Sequence, residues 1–310
     1  MGTGAFSSNR RRALRLIAGA PIALAINRTR AQPVSAMHTR PIPASGERLP
    51  VVGLGTWQTF DVGDDPAARA PLREVLSAFA AAGARVIDSS PMYGTSESVV
   101  GDLAAELGVR ERLFLATKIW TRGRDEGIRQ MERSLRRLRV ERMDLMQVHN
   151  LADVETHERT LAEWKQAGRV RYIGITHYAA SAYGEIEARL RSGRWDFLQI
   201  NYSLGERGSE RRLLPLALER RVAVIANRPF AEGGMFRRVR GKPLPAWAGE
   251  IGIKSWAQYF LKWILGHPAI TCAIPGTGKA EHMRDNLAAG YGKLPDQRLR
   301  RRMAEHYDTL

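Results

Sequence analysis

Residues 85–150 constrain the fold of this chain more than any other segment. Three short runs of mostly apolar residues in this segment each end in a polar side chain, at Asp88, Lys118 and His149. Between the runs, apolar residues recur with the 3.6-residue period of a helix. If the runs are neighbouring parallel strands, their polar ends emerge at one carboxyl-terminal edge, where Tyr93 joins them from the loop after Asp88.

A phenol, an ammonium, a carboxylate and an imidazole in one pocket suit the reduction of a carbonyl group. Hydride transfer leaves negative charge on the carbonyl oxygen, which then needs a proton, and a tyrosine phenol with a reference pKa of about 10 releases one reluctantly. The ammonium of Lys118 would ease that release from Tyr93, and Asp88 would keep Lys118 in place and charged. His149 would hydrogen-bond the carbonyl oxygen and orient the substrate.

The alternation of strand and helix patterns continues along the chain. Strands are predicted at residues 51–55, 86–87, 113–117, 143–148, 170–175, 197–200, 222–226 and 270–274. Eight strand–helix units in about 250 residues describe a single-domain α/β fold, the (β/α)₈ or TIM barrel. A Ser-Gly turn between short apolar runs at residues 42–50 predicts a β-hairpin before the first strand. The alternative architecture is a doubly wound sheet, but the best candidate for its nucleotide loop, at residues 53–58, lacks the third glycine.

The four polar residues, in their order and sequence contexts, resemble the catalytic tetrad of the aldo-keto reductase family. The resemblance covers residues 40–310 and includes Gly-Leu-Gly-Thr-Trp at 53–57 and Ile-Pro-Gly-Thr at 274–277. It implies an NAD(P)H-dependent oxidoreductase that reduces aldehydes and ketones to alcohols, with Tyr93 as the proton donor and Asp88, Lys118 and His149 as its catalytic partners. It also implies that the hairpin closes the lower end of the barrel.

A second function remains open on the same scaffold. Potassium-channel β-subunits resemble this family, so a non-catalytic, nicotinamide-binding subunit with a redox-sensing or regulatory role is the alternative. The intact tetrad favours the enzyme, because a binding subunit does not need Tyr93, Lys118 and His149 together.

The resemblance also implies a nicotinamide cofactor stretched across the barrel top, although several positions depart from the family pattern. Gln199 matches the residue that hydrogen-bonds the nicotinamide carboxamide, whereas Asn227 lacks the aromatic ring expected to stack on it. Gly276 and His282 stand where many members carry Lys and Arg for the adenosine 2′-phosphate and the adenine. NADP(H) is therefore preferred over NAD(H) without a firm basis in the residues, and His282 is equally well an exposed helix residue. The cofactor-binding residues expected on this basis are Gly55, Thr56, Thr176, His177, Gln199, Asn227, Arg228, Pro229, Phe230, Gly276, Thr277, Lys279, His282, Asp285 and Asn286.

The substrate is expected to be a small carbonyl compound. Its pocket is predicted to include Trp57, Trp120, Asn150 and Trp247, the last from the long segment 231–250. For Trp57, a pocket wall and a packed core ring are equally consistent with the sequence.

Residues 1–31 carry the pattern of an export signal. Arginines at positions 10–12 and 15 precede a charge-free, mildly apolar run at 16–26, and Arg28 and Arg30 follow before Ala31. Paired arginines followed by Ala-Leu resemble the twin-arginine class. We therefore expect a cleavable leader at 1–31 that engages the export machinery, a barrel domain at 32–310 and a periplasmic location. A disordered basic tail on a cytoplasmic protein is the alternative.

The apolar run of the leader is too short for a transmembrane helix, which needs ~20 apolar residues. No permanent membrane span is therefore expected.

The net charge of +16 does not by itself indicate a nucleic-acid partner. Six arginines lie in residues 1–31, and the remaining basic residues form no block interleaved with aromatics, so nucleic-acid binding is not expected. The single cysteine, Cys272, allows neither an internal disulfide nor a thiolate metal cluster. No metal-binding motif such as His-Glu-x-x-His occurs, so no metal site is expected. The oligomeric state is left open.

Overall fold

Strands and α-helices alternate along the part of the chain that this computed structural model describes, Met1 and residues 36–310. The strands are β1 (Thr39–Pro41), β2 (Arg48–Pro50), β3 (Leu54–Gly55), β4 (Val86–Asp88), β5 (Phe114–Ile119), β6 (Met143–His149), β7 (Val170–Thr176), β8 (Phe197–Asn201), β9 (Ala223–Asn227) and β10 (Ile270–Ala273). The helices are α1 (Pro66–Ala81), α2 (Ser96–Glu106), α3 (Arg124–Arg137), α4 (Val154–Gln166), α5 (Tyr183–Ser192), α6 (Leu213–Glu219), α7 (Gly234–Arg238), α8 (Trp256–Leu265), α9 (Ala280–Ala288) and α10 (Gln297–Asp308). Apart from Met1, the predicted leader at residues 1–31 lies outside the described residues.

Strands β3 to β10 form one parallel sheet in which each strand pairs with the next along the chain. Two isolated parallel bridges, Val52 with Ala273 and Gly55 with Gly276, join the first strand region to the last. The backbone N–H of Gly53 donates to the Ala273 carbonyl at 2.8 Å across the same seam. The sheet thus curves into the predicted (β/α)₈ barrel.

The glycines at the start of the barrel are explained by the close approach of the chain at this seam. A Cβ atom on Gly53 would lie 2.8 Å from the Val86 carbonyl oxygen, and one on Gly55 would lie 2.9 Å from the Ile274 carbonyl oxygen. Both separations are too short for any side chain. The Gly-Leu-Gly pattern therefore serves barrel closure, which agrees with its lack of a complete nucleotide-loop fingerprint.

Two apolar clusters lie on the two sides of the barrel wall. The larger packs the outer face of the strands against the helices and includes Met146 and Val148 of β6. The smaller fills the barrel interior and consists of Ile42, Leu49, Val86, Phe114, Ala116, Leu145, Tyr172, Phe197, Ala223, Ile225, Cys272 and Ile274. Ile42 and Leu49 come from the antiparallel β1–β2 pair, so this hairpin covers the amino-terminal end of the barrel.

The interior positions change from apolar to polar along the strands. Side chains alternate between the two faces of a strand, so on β6 the interior residue Leu145 is followed on the same face by Gln147 and His149. The same two-residue step leads from Val86 to Asp88 on β4, from Ala116 to Lys118 on β5, from Phe197 to Gln199 on β8 and from Ile225 to Asn227 on β9. The apolar interior therefore ends in a polar layer at the carboxyl ends of the strands.

Helix ends follow the local sequence signals. Asp296 caps α10 by accepting a hydrogen bond from the Leu299 N–H at 2.8 Å. Asp65 caps α1 in the same way, with Pro66 in its first turn. Among the helices of residues 36–310, none has the length and apolar character to cross a membrane.

Candidate active site

The carboxyl ends of the strands surround a cavity of about 810 Å³. The predicted catalytic residues Asp88, Tyr93, Lys118 and His149 all line it. Asp88 and His149 end strands β4 and β6, Lys118 lies one residue before the end of β5, and Tyr93 reaches the cavity from the loop after β4. The structure therefore brings together the four side chains that the sequence placed at this edge.

Lys118 is buried beneath the cavity floor with 1% of its surface exposed. Its Nζ donates to Asp88 Oδ2 at 2.7 Å and to the Ser89 carbonyl oxygen at 2.7 Å. Gln147 Nε2 donates to the other carboxylate oxygen of Asp88 at 3.2 Å. Burial lowers the pKa of Lys118, but the nearby Asp88 and Tyr93 raise it by more than burial lowers it. The pKa of Lys118 therefore lies above its ordinary value. Lys118 therefore remains a charged ammonium.

Tyr93 stands over this buried pair. The Lys118 Nζ lies 4.8 Å from the centroid of the Tyr93 ring. Burial raises the pKa of the Tyr93 phenol, while the positive charge of Lys118 acts in the opposite direction and reduces the rise. At neutral pH the phenol holds its proton next to a fixed cation.

The loop that carries Tyr93 is held by the residues that follow it. Gly94 has φ +57°, and a Cβ atom there would lie 2.2 Å from Asp61 Oδ2. Asp61 Oδ1 accepts hydrogen bonds from both the backbone N–H and the hydroxyl of Thr95, each at 2.8 Å. Any side chain at position 94 would displace this carboxylate and, with it, the loop.

His149 faces the Tyr93 ring edge-on, with 6.1 Å between the ring centroids. Burial lowers the pKa of His149 to about 3, and the nearby Lys118 and His177 lower it as well. The imidazole is therefore neutral at physiological pH. A neutral ring carries its proton on one nitrogen, so His149 offers one hydrogen-bond donor and one acceptor and no positive charge.

Two amides at the cavity wall suit a nicotinamide ring. Gln199 Oε1 accepts from the Thr176 hydroxyl at 2.7 Å, which leaves Gln199 Nε2 buried without a partner among the described residues. Asn227 Nδ2 donates to the His177 carbonyl oxygen at 3.3 Å, and Asn227 Oδ1 is likewise buried without a described partner. A free amide donor and a free amide acceptor in one cavity wall fit the oxygen and nitrogen of a carboxamide.

Other residues predicted to bind the cofactor also line this cavity. They are Gly55, Thr56, Thr176, Arg228, Pro229, Phe230 and Gly276. Arg228 is held by its own surroundings, because it donates to the Tyr178 carbonyl oxygen at 3.3 Å and pairs with Glu232 at 3.4 Å.

The remaining predicted cofactor residues do not line the cavity. His177 accepts the backbone N–H groups of Tyr178 and Ala179 through Nδ1. Thr277 and Lys279 lie between Gly276 and α9, and His282, Asp285 and Asn286 lie within α9. Thr277 Oγ1 accepts the N–H of Lys279 at 3.1 Å, and His282 is exposed.

Asp285 is engaged in helix packing. Its carboxylate accepts from the Ser255 hydroxyl at 2.7 Å and from Gln258 Nε2 at 2.6 Å, which ties α9 to the start of α8. Each carboxylate oxygen accepts one of these bonds, so Asp285 has a structural role here, and its contact with the cofactor stays a prediction.

Three of the four predicted substrate residues line the cavity: Trp57, Trp120 and Asn150. Trp57 is 45% exposed and Trp120 is 44% exposed, so Trp57 is a pocket wall and not a core ring. Asn150 Oδ1 is buried without a partner among the described residues and offers an acceptor to a polar substrate group.

Trp247 does not line the cavity, contrary to the prediction. It packs against Tyr259 of α8 and His306 of α10, and the Arg302 guanidinium lies 4.5 Å from its ring centroid. The sequence placed Trp247 in a long segment without periodic pattern, so the prediction could not anticipate the helices that bury it.

The sequence also missed several residues of the cavity. Met92, Tyr178 and Phe236 line it with exposed apolar surface. Gln147 does not line the cavity but bonds to Asp88, and it could have been identified because it lies two residues before His149 on the same face of β6. Tyr178 and Phe236 lie outside the strands, where no periodicity marks an inward-facing residue.

Comparisons with known proteins agree with this geometry. The sequence model of the Aldo/keto reductase family matches residues 51–306. Methylglyoxal reductase YeaE of Escherichia coli is 32% identical over 262 residues, which cover 81% of this chain and 89% of that protein. Aldo-keto reductase str7 of Strobilurus tenacellus is 30% identical over 273 residues, which cover 75% of this chain and 80% of that protein.

Solved structures show the same fold. An aldo/keto reductase from Klebsiella pneumoniae in complex with NADP and acetate is similar at a TM-score of 0.70 and 27% identity, over 84% of this chain and 93% of that one. An aldo-keto reductase from Klebsiella pneumoniae in complex with NADPH is similar at a TM-score of 0.72 and 26% identity, over 88% of this chain and 95% of that one. The chain therefore belongs to the aldo/keto reductase family, and it is an NAD(P)H-dependent carbonyl reductase.

Proposed function

We propose that this protein reduces small aldehydes and ketones with NADP(H), and that Tyr93 donates the proton to the carbonyl oxygen. The observation that carries the proposal is the position of the Lys118 ammonium, which is bonded to Asp88 at 2.7 Å and lies 4.8 Å from the Tyr93 ring centroid in the cavity floor. A buried cation fixed beside a protonated phenol favours transfer of the phenol proton to an oxygen that becomes negative.

The residues of the cavity wall supply the binding side of this function. Gln199 would donate from Nε2 to the carboxamide oxygen of the nicotinamide, and Asn227 would accept from the carboxamide nitrogen through Oδ1. NADP(H), when bound, supplies the hydride that reduces the carbonyl carbon. Two similar structures from Klebsiella pneumoniae hold NADP and NADPH, which supports the phosphorylated cofactor here.

Each residue of the tetrad has its own role in the reaction. Tyr93 Oη gives its proton to the carbonyl oxygen as negative charge develops there, and Lys118 stabilises the phenolate that remains. Asp88 keeps Lys118 charged and fixed. His149, being neutral, hydrogen-bonds the same carbonyl oxygen and sets which face of the substrate meets the nicotinamide.

The function is tested by steady-state oxidation of NADPH with purified protein and a panel of carbonyl compounds. Methylglyoxal heads the panel because the similar E. coli protein is a methylglyoxal reductase, and aromatic aldehydes test the exposed rings of Trp57 and Trp120. Turnover with any member supports the enzyme. Tight NADPH binding without turnover of any member would favour the regulatory subunit instead.

The cofactor assignment predicts a specific loss at Gln199. Gln199→Leu replaces the amide by a shorter apolar side chain and removes the free donor, so we expect NADPH affinity to fall roughly tenfold, as for one net hydrogen bond. Fluorescence titration with NADPH and, in parallel, NADH measures both the loss and the cofactor preference. Gln166→Leu, at an exposed position of α4, is the matched control and should bind as the wild type does. Equal NADPH affinity in the Gln199 and Gln166 variants would remove Gln199 from the site.

We further propose that residues 1–31 form a twin-arginine leader and that the mature barrel, residues 32–310, acts in the periplasm. The support is the sequence pattern alone: paired arginines at 10 and 11, followed by a weakly apolar run. Changing Arg10 and Arg11 to lysine should leave the full-length precursor in the cytoplasm, as measured by cell fractionation and immunoblotting. A matched change of Arg28 and Arg30 to lysine, outside the pair, should still be exported. Export of the Arg10/Arg11 variant at the wild-type level would argue for another route.

A further inference from the structure

The Ser90 hydroxyl contacts His149 without belonging to the tetrad. Ser90 Oγ lies 3.3 Å from His149 Nδ1 and 3.3 Å from the backbone N of Met92. Ser90 is fully buried and is not one of the residues that line the cavity. His149 therefore contacts the cavity and, through Nδ1, a buried hydroxyl behind it.

The direction of these two hydrogen bonds follows from what each group can do. The Met92 N–H can only donate, so Ser90 Oγ accepts from it. The hydroxyl proton of Ser90 then needs an acceptor, and His149 Nδ1 is the one within hydrogen-bond distance among the described residues. The reverse arrangement, with an N–H on Nδ1, would place two donors on Ser90 Oγ and leave its own buried proton without an acceptor. Such an unsatisfied buried donor is unfavourable.

A neutral imidazole that accepts through Nδ1 must carry its proton on Nε2. Burial and the nearby Lys118 keep the ring neutral, as described above. The nitrogen that remains for the cavity is then a donor, which is what a carbonyl oxygen requires.

We propose that Ser90 is a positioning residue that fixes His149 in the tautomer with its proton on Nε2, so that His149 presents a hydrogen-bond donor to the substrate carbonyl. The effect on catalysis rests on the proposed function, whereas the tautomer is a property of the protein alone. Ser90 transfers no proton to the substrate: Tyr93 remains the proton donor, and His149 supplies a hydrogen bond.

The tautomer is tested directly by ¹⁵N NMR of the histidine rings in protein without cofactor. His149→Gln identifies the His149 signals by their loss. In the wild type, His149 should show an acceptor-type Nδ1 and a protonated Nε2. In Ser90→Ala, the methyl group cannot donate, so the signals should shift toward a mixture of both tautomers.

Ser89→Ala is the matched control for this measurement. Ser89 is the neighbouring buried hydroxyl, and its Oγ accepts from the Thr56 hydroxyl at 3.0 Å instead of contacting His149. Its loss should leave the His149 signals as in the wild type. A wild-type His149 protonated on Nδ1, or identical signals in the wild type and Ser90→Ala, would overturn the proposal. The protonation of His149 is read from the wild-type spectrum alone, so this outcome can be tested even if Ser90→Ala fails to fold.

Kinetics separate this proposal from the proposed function. Ser90→Ala should lower kcat/KM for an aldehyde roughly tenfold, the factor for about one net hydrogen bond, and should leave NADPH affinity unchanged. Adding Ser90→Ala to His149→Gln should cause no further loss, because Ser90 acts through His149. A separate tenfold loss in the double variant would overturn the positioning role. If no variant or wild type reduces any carbonyl, the proposed function fails while the NMR result still reports the tautomer.

Discussion

Tyr93→Phe should abolish most carbonyl reduction and leave cofactor binding nearly unchanged. The substitution removes the phenol oxygen and keeps the ring that faces His149 and covers Lys118. General-acid catalysis contributes roughly 10²- to 10⁴-fold, so we expect kcat/KM to fall within that range. Because the lost interaction forms only as charge develops on the carbonyl oxygen, the loss should appear in turnover and not in affinity.

Single-turnover reduction of methylglyoxal and an aromatic aldehyde by NADPH-loaded protein measures this effect. Fluorescence titration of the same samples reports NADPH affinity. Tyr178→Phe is the matched control, since Tyr178 also lines the cavity and is exposed at its rim, outside the tetrad. Tyr178→Phe should lower the rate of carbonyl reduction far less than Tyr93→Phe does. Wild-type rates in Tyr93→Phe would remove Tyr93 as the proton donor while leaving family membership intact.

The sequence predicted the barrel and the tetrad for the same physical reason. Apolar residues repeat with period two inside the barrel and with period 3.6 on the helices, and both periods are visible in a single sequence. Asp88, Lys118 and His149 stand at the interior-facing positions of their strands. Because these strands are parallel neighbours, the three side chains lie at the same edge of the sheet. Tyr93 was recognised by its distance from Asp88 and by the family resemblance, since no periodicity governs a loop.

Contacts between distant segments could not be read from local patterns. Trp247 was assigned to the pocket, but it packs against Tyr259 of α8 and His306 of α10. The assignment depended on which helices lie opposite Trp247, and sequence spacing carries no information on this. The hydrogen bonds around the tetrad also could not be predicted from the sequence. Ser90 and Gln147 complete this network, and no sequence motif marks either position.

The buried pair of Lys118 and Asp88 should have the largest effect on stability in the site. Both side chains are nearly inaccessible, with side-chain exposures of 1% and 5%, and among the described residues Asp88 forms no other salt bridge. Lys118→Met would leave the Asp88 carboxylate buried beside an apolar chain. Removing one member of a buried pair costs about 3–5 kcal/mol, so we expect the free energy of unfolding to fall by about that amount. Urea unfolding at neutral pH measures it.

The double variant Asp88→Asn/Lys118→Met should recover most of that stability, because no isolated charge remains in the interior. Recovery of stability should not bring back activity, since Tyr93 still lacks its ammonium in both variants. Asp88 and Tyr93 raise the pKa of Lys118 in the folded protein above its ordinary value. The stabilisation by the ammonium is therefore fully present at pH values below the unfolded-state pKa of about 10.4. It is lost only as the pH rises above that value. The stability difference between the wild type and Lys118→Met should therefore be constant between about pH 7 and 9. If Lys118→Met is as stable as the wild type, and the double variant is no more stable than Lys118→Met, the Lys118–Asp88 pair does not stabilise the fold.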